Sequence, residues 1–159
     1  MNARINETVA PPQPGTPQAR ILIHSGEYDG RVSVSEVMVE RGKEPPLHRH
    51  RHEDLLVYVL AGHLDFLIDD ERFAVAPGAC VRVPKASEHG FAIESAAAHL
   101  LIILTPAGAE ACLADLYGLT DAEATVSGQT SSEAIDRLVT TAARFGIDIT
   151  GPPLARESR

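Results

Sequence analysis

The sequence predicts an all-β fold, an antiparallel sandwich or barrel, with two helices at its C-terminal end. Two observations lead there. From Arg20 to Thr105 the chain breaks into about nine short β-rich runs spaced roughly 8 to 12 residues apart, with Gly and Pro at the turns between them. Beyond Thr105 the apolar period changes from that of a strand to that of a helix. At 159 residues and 17.0 kDa the chain has the size of one domain.

Taken in order, residues 1–19 read as a flexible arm, with Pro11, Pro12, Pro14 and Pro17 around Gly15 and little apolar material nearby. Arg20–His24 is apolar and β-rich. Arg31–Val39 alternates, setting Val32, Val34, Val37 and Val39 against Ser33, Ser35 and Glu36. Leu47–His50 is short, and Leu55–Ala61 is continuously apolar. His63–Ile68 follows Gly62 and ends at the turn pair Asp69-Asp70. Phe73–Ala76 stops at Pro77-Gly78, and Cys80–Val83 alternates around Arg82. His89–Ile93 and His99–Thr105 complete the β region.

Thr105-Pro106 is a helix-start pair, with Thr as the cap and Pro at the first helical position. Residues 106–117 then place Ala109, Leu113 and Leu116 on one face, and Gly118 can end the helix. A polar loop from Thr120 to Gln129 leads to Thr130-Ser-Ser-Glu133, a capping-box pattern. Ile135, Leu138, Val139 and Ala142 form a helical stripe that stops at Gly146. The organisation expected is an arm (1–19), a β-barrel (20–105) and a helical extension (106–159).

Composition excludes several function classes. Lys and Arg number 14 against 22 Asp and Glu, a net charge of −8. Nucleic-acid affinity rests on cations at phosphates, so no nucleic-acid partner is expected. Aromatic residues make up 4% of the chain and Trp is absent, which also argues against a base-stacking platform. The longest nearly apolar run, Ala96–Leu104, is broken by His99 and is far short of the roughly 20 residues of a membrane-spanning helix. The first residues carry no apolar stretch of the signal-peptide kind. Cys80 and Cys112 form no CxxC pair. A cytoplasmic protein without membrane contact is expected.

The chemistry lies in the histidines. His48 and His50 are two apart, and residues i and i+2 of a strand share a face, so both imidazoles can reach one ion. Pro45-Pro46 fixes the entry to that strand. A second segment runs from the turn glycine Gly78 through a short strand to Pro84, and then to His89 at the start of another strand.

These two segments resemble the paired motifs of the cupin superfamily, a small jelly-roll barrel or double-stranded β-helix. The first family motif reads G(x)5HxH(x)3–4E(x)6G, matched by Gly42, His48, His50 and Gly62. The second reads G(x)5PxG(x)2H(x)3N, matched by Gly78, Pro84 and His89, with Ala86 and Ile93 in place of its glycine and asparagine. The C-terminal region is similar to the ends of single-domain quercetin-dioxygenase-like cupins. One departure stands out: counting back from Gly62, the family's glutamate position holds Leu55, which cannot bind a metal. Asp54 satisfies the shorter spacing from His50 but would need a bulge. Glu53 and His52 are nearby spare groups. A three-histidine site of His48, His50 and His89 is expected, with recruitment of Glu53, Asp54 or His52, or loss of the metal, as the alternatives.

The resemblance implies a divalent transition metal, with imidazole ligands suiting Fe, Ni, Zn and Cu alike. It implies a small-molecule substrate, dioxygenase-like chemistry and a homodimer. Leu55, Val57 and His99 are expected to shape the substrate pocket, and Glu53 or Asp54 to serve as catalytic base or proton shuttle. His52 and Arg82 read as solvated, Tyr58 as outward-facing, Cys80 as a small core residue, and His24 and His63 as structural. The rival readings are a non-catalytic small-ligand-binding cupin, a metal-free isomerase or epimerase using histidine as acid and base, and a storage-type or structural cupin.

Overall fold

The computed structural model describes residues 18–117 and 132–157, in which ten strands form two five-stranded antiparallel sheets. The strands are β1 (Gln18–Ile23), β2 (Ser33–Glu40), β3 (Pro46–His50), β4 (Asp54–Ala61), β5 (Leu64–Ile68), β6 (Glu71–Val75), β7 (Cys80–Val83), β8 (His89–Ile93), β9 (Ala97–Thr105) and β10 (Ile147–Pro153). The helices are α1 (Glu110–Tyr117) and α2 (Ser132–Arg144). One sheet has the order β1-β2-β9-β4-β7 and the other β10-β3-β8-β5-β6. Two antiparallel sheets enclosing one core, with strands switching between them, make a double-stranded β-helix.

Alternation sets the inner faces, except that Ser33 and Ser35 of β2 are buried on the parity of Val37 and Val39, while Val34 is only half-buried. Val37 and Val39 of β2 face inward with Leu100 and Leu104 of β9 and Leu55, Val57 and Val59 of β4. From the other sheet come Leu64 and Phe66 of β5 and Phe91 and Ile93 of β8. Phe66 packs against Phe73 and Phe91 with ring centroids 6.0 and 5.8 Å apart. Tyr58 and Arg82 are exposed on outer faces, as their parity requires. Cys80 is exposed rather than in the core, because it shares the outward parity of Arg82 on β7.

Two expectations about the C-terminal third are corrected. The helix after Thr105 begins at Glu110 and not at Pro106. Buried Glu110 accepts the amides of Ser25 and Gly108, at 2.7 and 2.6 Å, which ties the start of α1 to the end of β1. Burial opposes the charge on that carboxyl, but the amide bonds outweigh it and hold its pKa below the ordinary value. The segment after α2 is also not an appendage: β10 pairs with β3, matching Ile147 to His50 and Ile149 to His48. The capping-box helix is present as α2. The arm up to residue 17 and the expected polar loop lie outside the described residues.

Gly62 joins β4 to β5 at a φ of +93°, and a Cβ there would lie 2.5 Å from the Ala97 carbonyl oxygen. Both the backbone conformation and the space exclude a side chain. Gly62→Ala is therefore expected to cost about 1–3 kcal/mol of stability, read as a lowered urea midpoint; an unchanged midpoint would contradict this packing.

Candidate metal centre

The three histidines meet because two strands are neighbours in one sheet. β3 and β8 pair with His48 opposite His89, and His50 lies two residues along on the same face of β3. The ring centroids are 4.3 Å apart for His48 and His89, 5.4 Å for His48 and His50, and 5.6 Å for His50 and His89. One ring nitrogen from each lies within 4.8 Å of the others. The loop that delivers His89 is held to the same strand, since Ala86 donates its amide to the His50 carbonyl at 2.8 Å.

Hydrogen bonds fix which nitrogen is free. His48 Nδ1 lies 2.8 Å from the Pro46 carbonyl oxygen, and His89 Nδ1 lies 3.1 Å from the Ser87 carbonyl oxygen. A carbonyl only accepts, so each Nδ1 carries the proton and each Nε2 presents a lone pair. His89 Nε2 is buried and has no protein partner. Burial, then the neighbouring His50, push the His48 pKa down to about 4 despite the Pro46 bond. Burial, then His48, push that of His89 lower still. Neutral, preoriented imidazoles with an orphaned buried nitrogen are the donor set a divalent transition metal requires. The residues fit the ion.

The neighbouring acidic residues separate. Glu53 is buried, and its Oε2 lies 3.4 Å from His50 Nδ1; neither atom has a hydrogen-bond partner. It thus stands behind His50, where the Pro46 and Ser87 carbonyls stand behind the other two rings. Asp54 accepts the Lys85 amide at 2.8 Å, which gives it a structural task in the turn before His89. His52 is exposed against Gly146 and does not join the cluster.

The imidazoles open onto a cavity of about 120 Å³ between the sheets. Leu55 and Val57 line it. His99 does not: it has the opposite parity to Leu100 on β9, and its Nε2 lies 2.7 Å from Glu36 Oε1, with Arg20 on the far side of that carboxylate. An apolar strand around a histidine misled there, because the buried partner lies on the outer face of β2. The sequence reading also missed the cavity's cover. Cys112 and Leu113 of α1, Leu138 and Ala142 of α2, and Ile147 and Ile149 of β10 all line it. The Leu138/Ala142 spacing and the Ile147/Ile149 alternation were the available signals.

Residues 35–104 match the family described as Cupin domain. An uncharacterized protein of Methanocaldococcus jannaschii is 31% identical over 71 residues, which is 44% of this chain and 57% of that protein. The match thus spans little more than half the length of that relative. Among solved structures, the TT1209 protein of Thermus thermophilus is 24% identical, with 67% of this chain and 98% of that one covered at a TM-score of 0.53. An RmlC-like cupin from Shewanella frigidimarina is 21% identical, covering 64% and 86%, at a TM-score of 0.51. These structural likenesses concern the fold. The domain match over residues 35–104, the two-sheet barrel and the histidine cluster agree on a cupin domain in this part of the chain.

Proposed function

We propose that this cupin is a metal-dependent enzyme acting on a small organic molecule, with dioxygenase-like chemistry. The observation that supports it is the convergence of three imidazoles, two of them oriented by backbone carbonyls, at one end of an apolar cavity. His48, His50 and His89 would hold the ion. Bound there, a divalent metal supplies Lewis-acid polarisation of an oxygen donor or, as iron, chemistry with O₂.

The chain's own residues do the rest. The Pro46 and Ser87 carbonyls hold two rings in the ligating tautomer. Glu53 stands behind His50, with its Oε2 3.4 Å from the His50 Nδ1, where it would orient that ring. Leu55 at the family's glutamate position leaves the ligand set uncharged, so an anionic oxygen on the substrate is bound more strongly than beside a carboxylate ligand. Leu55 and Val57 exclude water beside it. Among the described residues no Tyr, Lys or carboxylate lines the cavity, which counts against a metal-free acid–base isomerase.

Glu53→Gln is expected to keep the fold and weaken zinc binding by about 10- to 100-fold, read by competitive titration with a chromogenic chelator. An unchanged affinity would remove Glu53 from the site. Activity is tested by loading the protein separately with Fe(II), Ni, Zn and Cu and following O₂ uptake with enolisable small carbonyl compounds. Uptake that needs one of these metals and is lost in His48→Ala supports the enzyme. Ligand-dependent melting without O₂ uptake or product in any loaded form would overturn it in favour of a binding module.

A further inference from the structure

The cavity restricts what can lie beside the ion. Resting on the metal-site reading above, we infer that the ligand of this site is a compact apolar molecule of about six non-hydrogen atoms carrying a single oxygen-donor head, and that polyhydroxylated or fused-ring compounds are excluded. The size limit follows from volume. The cavity measures about 120 Å³, and an apolar cavity of about 150 Å³ accepts one benzene-sized molecule.

The polarity limit follows from the wall. Among the described residues, the only polar side chains lining the cavity are the three histidines and the thiol of Cys112. His48 and His89 commit their Nδ1 atoms to the Pro46 and Ser87 carbonyls, and the His50 Nδ1 lies 3.4 Å from Glu53. A second hydroxyl or amide on the ligand would lose its water and find no partner there. The nearest alternative anchors point elsewhere. Asp54 is bonded to the Lys85 amide, Glu36 to Arg20 and His99, and Glu110 to two backbone amides.

Part of the wall is helical. Leu113 of α1 and Leu138 and Ala142 of α2 close the space that Leu55, Phe66 and Phe91 bound from the sheets. The two helices therefore share with the sheets in bounding the ligand.

Titration of the zinc-loaded protein with straight-chain carboxylates from acetate to octanoate, by calorimetry, tests this. Affinity is expected to rise about fourfold per added methylene, peak near four or five carbons and then fall, with gluconate binding far more weakly than hexanoate. Leu138→Ala, on the half-buried face of α2, should move the peak to a longer chain. A flat length profile, or gluconate equal to hexanoate, overturns the inference while leaving the metal reading intact if zinc binds. The metal-free protein titrated with n-alcohols of the same lengths reads the cavity alone. A size limit seen there in a protein that never takes up zinc would keep the limit on size and overturn the reading of the ion.

Discussion

His89→Leu is expected to fold normally and to bind no metal. His89 supplies one of three donors, and its Nε2 is a buried nitrogen without a protein partner. Loss of a direct ligand should exceed the roughly 10- to 100-fold penalty of an outer-shell change, so affinity falls by more than about 100-fold. Stability in the metal-free state should move the other way. An orphaned buried polar atom costs about 1–3 kcal/mol, and leucine removes it while filling similar space beside Phe91. The metal-free variant should therefore melt at or above the wild-type temperature. Wild type should also gain about 2.7 kcal/mol from zinc at 100 times its Kd, and the variant nothing. Thermal denaturation with and without zinc checks both signs at once. A variant that still gains stability from zinc would place the ion elsewhere.

Acid should unfold the metal-free protein through the same histidines. His48 ordinarily titrates near 6.5, but burial lowers it to about 4 in the folded state, and His89 is shifted in the same direction. Above pH 6.5 both states are neutral and these groups contribute no pH dependence. Below 6.5 the unfolded chain takes up protons that the folded chain refuses, so stability is lost as pH falls, and His48's part levels off near pH 4. The loss from His48 alone amounts to about 3 kcal/mol over that window. Urea denaturation between pH 7.5 and 4.5 reads it, with His48→Leu as the comparison. The stability difference between the two proteins should change with pH in favour of the variant. A difference that stays constant across the window would show that His48 is not buried and neutral.

Most of the barrel and the histidine cluster were legible because both follow from local rules. Strand parity put His48 and His50 on one face, and turn residues such as Gly62 and Gly78 marked the strand ends. The missing parts depend on long-range pairing. Nothing local to Ile147–Pro153 announces that it joins β3, since Gly151-Pro152-Pro153 reads as a break; the pairing exists because the β3 edge offers Arg49 and His50 to Asp148 and Ile147. The roles of Glu53 and Asp54 could not be separated by spacing either. They are adjacent in sequence, yet one is buried behind His50 and the other caps a turn on the opposite side of β4. His99 failed for the same reason: its partner Glu36 is 63 residues away and reaches it only when β2 and β9 pair.

The central claim is that His48, His50 and His89 form a working metal site although leucine occupies the family's glutamate position. Elemental analysis of untagged protein, beside a His48→Ala/His89→Ala double variant, tests it most directly. The expected result is close to one transition-metal ion per chain in wild type and none in the double variant, with the element found choosing between oxygen chemistry and Lewis-acid chemistry. Wild-type protein that is empty, and stays empty after incubation with Fe, Ni, Zn and Cu, would contradict it and mark a barrel that binds its ligand without metal.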